Sequence, residues 1–131
     1  MATIDALLID THTFLWASFV PERLSRNARK LLTNAETKVY LSVASLWEIE
    51  LKHRKGKLQA DAKVVDASMR DLQILPLAIM AAHVRALAKL KSGGCKDPFD
   101  RMIGAQALAE ELPLVTADPA FDEFGGVDVR W

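Results

Sequence analysis

Short apolar runs alternate with longer stretches of helical period along the whole chain. Ala6-Leu7-Leu8-Ile9 is a continuous apolar run closed by Asp10-Thr11, the pattern of a strand buried on both faces. Val39–Leu41, Leu72–Leu75, Leu114–Thr116 and Val127–Val129 are the other predicted strands. Helical segments lie between them. Ser25 is placed to cap a helix through about Ala35, with Ala28, Leu31 and Leu32 on its inner face. Ser42 caps another from Val43 to about Lys55, halted by Gly56, and Asp61 opens a third that reaches about Arg70. Ile79, Val84, Leu87 and Leu90 give Leu77–Leu90 a helical period. Asp97-Pro98 reads as cap and first helical position of a helix that runs to Glu111, before Pro113.

This order predicts an α/β domain with a mainly parallel sheet and helices on both faces, because parallel neighbours need crossover connections. No repeat or linker divides residues 1–131, and Ser92-Gly93-Gly94 is too short for a domain boundary, so a single domain is expected. In open sheets of this kind ligands bind beyond the carboxyl ends of the strands. Acids placed there are the first candidates for chemistry.

Composition narrows the class. The 131 residues are 50% hydrophobic and 26% charged, enough apolar surface for one core and too much for intrinsic disorder. Seventeen Lys and Arg balance seventeen Asp and Glu, which excludes a strongly basic domain that holds nucleic acid through its overall field. A local basic patch remains open. The lone Cys95 forms no intrachain disulfide and no cysteine zinc cluster, which fits a reducing, cytoplasmic setting. Met1 to Asp10 lacks the basic start of a signal peptide. The longest apolar stretch, Ile74–Ala82, contains Pro76 and falls short of the ~20 residues that span a bilayer, so no membrane association is expected.

Asp10 directly follows the first strand and Asp118 follows the fourth through Thr116-Ala117. Carboxylates at the ends of different parallel strands project toward one crevice. Glu48 lies mid-helix, and Asp97 and Asp100 open the last long helix about one turn apart. Such a cluster repels itself unless a hard divalent cation neutralises it. Each acid also has a plain structural reading: Asp10 and Asp97 as caps, Asp100 as a complement to the helix dipole, Glu48 in an i,i+4 pair with Lys52, and Asp118-Pro119 as a turn. It is the joint placement that points to a site.

Four blocks carry a recognisable pattern: Leu8-Ile9-Asp10-Thr11-His12-Thr13-Phe14-Leu15-Trp16, Ser42-Val43-Ala44-Ser45-Leu46-Trp47-Glu48-Ile49, Asp97-Pro98-Phe99-Asp100-Arg101-Met102-Ile103-Gly104-Ala105-Gln106-Ala107 and Leu114-Val115-Thr116-Ala117-Asp118. In order and spacing they resemble the PIN-domain ribonucleases, and within them the VapC-like toxins of type II toxin–antitoxin pairs. The resemblance covers essentially the whole chain. It implies a PIN-like three-layer αβα sandwich around a mainly parallel five-stranded sheet, and a catalytic tetrad of Asp10, Glu48, Asp100 and Asp118. It also implies Mg²⁺- or Mn²⁺-dependent endoribonuclease activity, a homodimer and a cognate VapB-like antitoxin seated in an apolar groove of the early helices.

On that reading Asp10 and Asp100 are the principal metal ligands, with Asp118 completing the first or second shell and Asp97 a cap or an outer-shell ligand. Glu48 is suited to orient or deprotonate the attacking water, or to hold a second ion. Thr11 is either a hydrogen-bond partner or a helix cap, and His12 a surface or packing residue. Gly104, Ala105 and Ala107 are expected to permit close helix–sheet approach, and Phe14, Trp16, Phe19 and Trp47 to pack in the core or an interface, with stacking on a base the lesser alternative. Lys52, Lys55 and Arg101 stand out as contacts for the RNA backbone. Setting the tetrad aside leaves thirteen acids against seventeen bases, so the neutral total conceals a cationic surround.

Two rival classes share an acid after the first strand. A haloacid-dehalogenase-like phosphohydrolase wants a second Asp two residues later, where this chain has His12. In a non-catalytic α/β domain the acids would only chelate metal or engage a protein partner; its receiver-like form wants an Asp after the third strand, where this chain has Leu75-Pro76.

Overall fold

The computed structural model describes residues 4–91 and 95–131. Ser92-Gly93-Gly94, read above as a short connection, lies outside the described residues, as does Met1–Thr3. Five strands, β1 (Ala6–Ile9), β2 (Lys38–Ser42), β3 (Ile74–Leu77), β4 (Leu114–Val115) and β5 (Val129–Arg130), form one sheet in the order β3-β2-β1-β4-β5. Every pairing between these strands is parallel.

Strand periodicity divides the core into two layers. Leu7, Ile9, Val39, Leu41 and Val115 face one side, where α1 (Thr11–Phe19), α2 (Arg26–Thr33) and α4 (Ala62–Asp71) close over them with Phe14, Ala28, Val65 and Met69. Leu8 and Leu114 face the other, covered by α5 (Ala81–Ala86) and α6 (Pro98–Ala109) through Ala86, Ile103, Ala105 and Ala107. β1 is therefore buried on both faces, which is why it reads as an unbroken apolar run. The remaining long helix, α3 (Val43–Arg54), gives Ala44 to one layer and Ile49 to the other. It starts directly from the carboxyl end of β2, reaching one layer from its first turn and the other from its middle.

The side-chain caps form as the sequence implies. Ser25 accepts from the Ala28 amide, Ser42 from Ala44, Asp61 from Val64, and Asp97 from Phe99 and Asp100. Several boundaries differ. α2 stops at Thr33 rather than near Ala35, and α6 at Ala109 rather than Glu111; Glu111 takes a left-handed φ of 53° while the Leu112 amide closes the helix on Ala107 O. β3 begins two residues later than expected, because α4 runs on to Asp71 and Gln73 makes the turn with φ 57°. The two-residue shift preserves parity, so Ile74 still points inward. β3 lies at the sheet edge, where Pro76 is tolerated despite lacking an amide hydrogen.

The expected helix over Leu77–Leu90 is cut short: Leu77 joins β3, α5 covers only Ala81–Ala86, and a 3₁₀ turn spans Leu87–Lys89. Ile79, Leu87 and Leu90 nevertheless pack against the same core, so the apolar spacing located the buried face but not the conformation. β5 is shifted to Val129–Arg130, and a 3₁₀ segment at Pro119–Phe124 places Phe121 and Phe124 fully in the core. Among the described residues no helix is long and apolar enough to cross a membrane.

Candidate active site

Strand order reverses at β1: successive connections move outward through β2 to β3, then return past β1 to β4. The crevice beyond the carboxyl ends of β1 and β4 is the expected ligand position in such a sheet. Asp10 sits there, 3% exposed. As the cap of α1 it accepts the Thr13 amide and hydroxyl on Oδ1, and Oδ2 accepts the Thr116 hydroxyl at 2.7 Å. Burial pushes its carboxyl above the ordinary range, while the Thr13 and Thr116 hydrogen bonds pull the other way.

Thr116 links two acids. Its hydroxyl donates to Asp10 and accepts the Asp118 amide at 3.0 Å. Asp118 itself is exposed and caps the Pro119–Phe124 turn through the Ala120 amide. The structure thus sets Asp118 at the rim of the crevice, connected to Asp10 through Thr116.

Glu48 is 6% exposed, with both carboxylate oxygens engaged. Thr11 Oγ1 donates to Oε1 at 2.7 Å and Lys52 Nζ lies 2.9 Å from Oε2. Ser45 Oγ lies 2.9 Å from Thr11 Oγ1; with the single Thr11 proton directed at Glu48, Ser45 donates to Thr11. A chain of hydroxyls and one ammonium therefore fixes the Glu48 carboxylate. The expected Glu48–Lys52 pair is present, and it commits the lysine that sequence reasoning had aimed at RNA.

Asp100 occupies the first turn of α6, half-buried. Its carboxyl is pushed up to about 7, first by burial and then by the fields of Asp97, Glu48 and Asp10, against a smaller opposing effect of the Cys95 thiol 3.6 Å from Oδ2. Those fields register the convergence of the four acids. Asp97 is exposed and spends Oδ1 on capping α6, as its structural reading predicted.

Among the described residues no three His, Cys, Asp or Glu side chains close into a metal cage. A cage is not what the donor set suits. Magnesium takes one or two carboxylates and keeps several waters, and a half-buried carboxyl held up to about 7 by like charges is relieved by a hard divalent cation. The oxygen donors present fit Mg²⁺ or Mn²⁺ in that open manner.

Other expectations divide. His12 is exposed beside Trp16, as a helix-surface residue should be. Phe14 is fully buried, and Trp16 packs edge-on to Trp131 at 5.8 Å. Phe19 and Trp47, expected in the core or an interface, are exposed, Trp47 to 59%, so neither belongs to the core of this chain. Arg101 lies over the Phe124 ring and donates to Cys95 O, which anchors the approach to α6, whereas Lys55 stands exposed. Gly104 is required against a side chain and not against the sheet: an added Cβ would stand 2.6 Å from Phe124 Cδ2. Gln106 is fully buried, donating to Ala78 O, so it braces α6 and takes no part in the crevice. Sequence reasoning gave no role to Thr13, Ser45 or Thr116. The signal was present in hydroxyls three residues from an Asp or Glu on a helix, or two from an Asp in a turn.

A five-stranded parallel sheet between two helical layers, with acids gathered where the strand order reverses, defines a PIN-like α/β sandwich. The PIN domain family model matches residues 7–127, and the chain belongs to that family. Solved structures agree in fold. A chain of the VapBC2 complex from Rickettsia felis bound to a promoter DNA fragment superposes with a TM-score of 0.73 at 16% identity, covering 95% of this chain and 97% of that one. DNA-bound VapBC from Salmonella typhimurium gives 0.71 at 16% identity and 97% coverage of both chains. VapBC-5 of the VapBC toxin–antitoxin family from Mycobacterium tuberculosis gives 0.60 at 20% identity and 96% coverage of both. Comparison with curated protein sequences gives no match.

Proposed function

We propose that this single PIN domain is a VapC-like toxin, a metal-dependent endoribonuclease that hydrolyses RNA phosphodiester bonds and acts in the cytoplasm. The observation that carries the reading is the convergence of Asp10, Glu48 and Asp100, with Asp97 beside them, beyond the strand ends of a PIN domain. Asp10 and Asp100 would hold Mg²⁺ or Mn²⁺, with Asp118 at the rim and Asp97 in an outer position. The bound ion supplies charge neutralisation at the phosphate and acidifies water.

The chain's own residues do the rest. Thr13 and Thr116 fix the Asp10 carboxylate, so its orientation precedes ligand binding. Glu48 keeps acceptor capacity beyond its bonds to Thr11 and Lys52, and it takes the role of orienting the attacking water and receiving its proton. RNA cleavage should require Mg²⁺ or Mn²⁺ and vanish with EDTA or in Asp10→Asn; undiminished cleavage in either case overturns the proposal.

The reading extends to partners. An apolar hollow of about 250 Å³ lies between α1, α2 and the first residues of β2 and β3, lined by Ala17, Pro21, Leu24, Leu32, Leu72 and Ile74. None of its lining residues belongs to the acidic crevice, and it suits a VapB-like antitoxin helix. A homodimer is the expected assembly, checked by sedimentation against the 14.5 kDa monomer.

A further inference from the structure

Among the described residues Trp47 is the most exposed large apolar side chain, and it stands immediately before buried Glu48. Phe99 stands immediately before Asp100. The two helices that deliver acids to the crevice thus deliver an aromatic ring each, and these rings meet edge to face with centroids 5.0 Å apart. Such a contact occupies at most one face of one ring, and 59% of Trp47 remains open to a third π-system. Beside Phe99 a depression of about 160 Å³ is lined by Leu51, Lys52, Lys55 and Lys57 together with Glu48 and Asp97, so it runs from the ring that Trp47 touches to two of the acids. Among the described residues neither Lys55 nor Lys57 is held in an ion pair, in contrast to Lys52.

An open ring face, two uncommitted ammonium groups and adjoining carboxylates make unlike demands on a ligand. A nucleotide meets all of them. Its base stacks on the indole, its phosphate takes a lysine, and its neighbouring phosphodiester reaches the acids. A base in a duplex is already stacked on both faces and cannot do this.

We infer that the Trp47–Phe99 pair, with Lys55 and Lys57, is the stacking platform for the nucleotide next to the scissile bond. The inference rests on the ribonuclease reading and adds to it the residues that hold the base.

The test uses Asp10→Asn protein, which retains the platform, with labelled single-stranded oligouridine and oligoadenosine and the duplex of the two. Single strands should bind at least about tenfold tighter than duplex, and Trp47→Leu should weaken them roughly ten- to hundredfold. Trp47→Phe should retain most of the affinity, while the quenching of tryptophan emission on binding should disappear with it. Lys55→Glu with Lys57→Glu should weaken binding and flatten its salt dependence. Trp47 is exposed, so these variants keep their core, and unchanged melting confirms it.

Equal affinity for single strand and duplex, or a Trp47→Leu protein that binds like its parent, overturns the platform. A Trp47→Leu change in sedimentation with RNA affinity unaltered overturns it too, and assigns the indole to a contact between copies. Wild-type cleavage of RNA separates the two readings: with cleavage intact only the platform falls, whereas absence of both cleavage and binding removes the ribonuclease reading along with it.

Discussion

Asp100 concentrates the site's electrostatics in one carboxyl. Held near 7 in the folded chain against an ordinary 3.8, it binds a proton more tightly folded than unfolded. Its contribution to stability is therefore full below about pH 4, declines as pH rises toward 7, and stays lost above that. Thermal melting of metal-free protein should show this decline; Asp100→Asn should lessen it and raise the melting temperature at pH 8. Adding Mg²⁺ or Mn²⁺ at pH 8 should restore stability to the parent and far less to the variant. Thr11 makes a complementary case. Its hydroxyl is the one that Glu48 Oε1 accepts, so Thr11→Val should lower kcat roughly tenfold, within the 10–100-fold range for groups that orient site carboxylates, and Thr11→Ser should recover most of it. The acids themselves were legible because chemistry needs particular residue types. The hydroxyls around them were not, since Thr and Ser are common in turns and caps for local reasons, and only the fold brings Thr116 to Asp10 or Thr11 to Glu48.

At the scale of elements, the helix starts were readable and the helix ends less so. Ser25, Ser42, Asp61 and Asp97 mark N-termini by a side-chain bond whose geometry is local. Ends such as Gln73 and Glu111 are made by left-handed non-glycine residues, for which sequence gives little warning. The conversion of Leu77–Leu90 into a strand end, a short helix and a 3₁₀ turn has the same origin: one buried face serves several conformations. α6 shows how tightly an element can be specified. Phe124 is fully buried, packs edge-on to Phe121 at 5.6 Å and fills the space that Gly104 leaves. Gly104→Ala forces that ring to move and should destabilise the protein by about 1–3 kcal/mol in urea unfolding, despite the better helix propensity of Ala.

The whole molecule separates its duties by position. The acidic crevice lies beyond the strand ends at the β1–β4 reversal, and the apolar hollow of α1, α2 and the first residues of β2 and β3 shares none of its residues. Leu72 is part-exposed at the margin of that hollow, so Leu72→Glu should weaken neutralisation by the cognate antitoxin while RNA cleavage in its absence stays close to parental. Fold class and sheet composition were legible at this scale because alternation of buried strands with amphipathic helices admits few arrangements, and all the pairings came out parallel.

The hydrogen bond from Thr116 to Asp10 joins positions 106 residues apart. Synthesis proceeds from Asp10 toward Thr116, so a chain emerging from the ribosome carries its first acid long before the hydroxyl that aims it. β4 slots beside β1 only when both exist, and Phe124 seals α6 later still. A site built this way is assembled only once β4 and the Phe124 segment have joined the sheet and α6, whatever length of chain already carries Asp10 and Glu48.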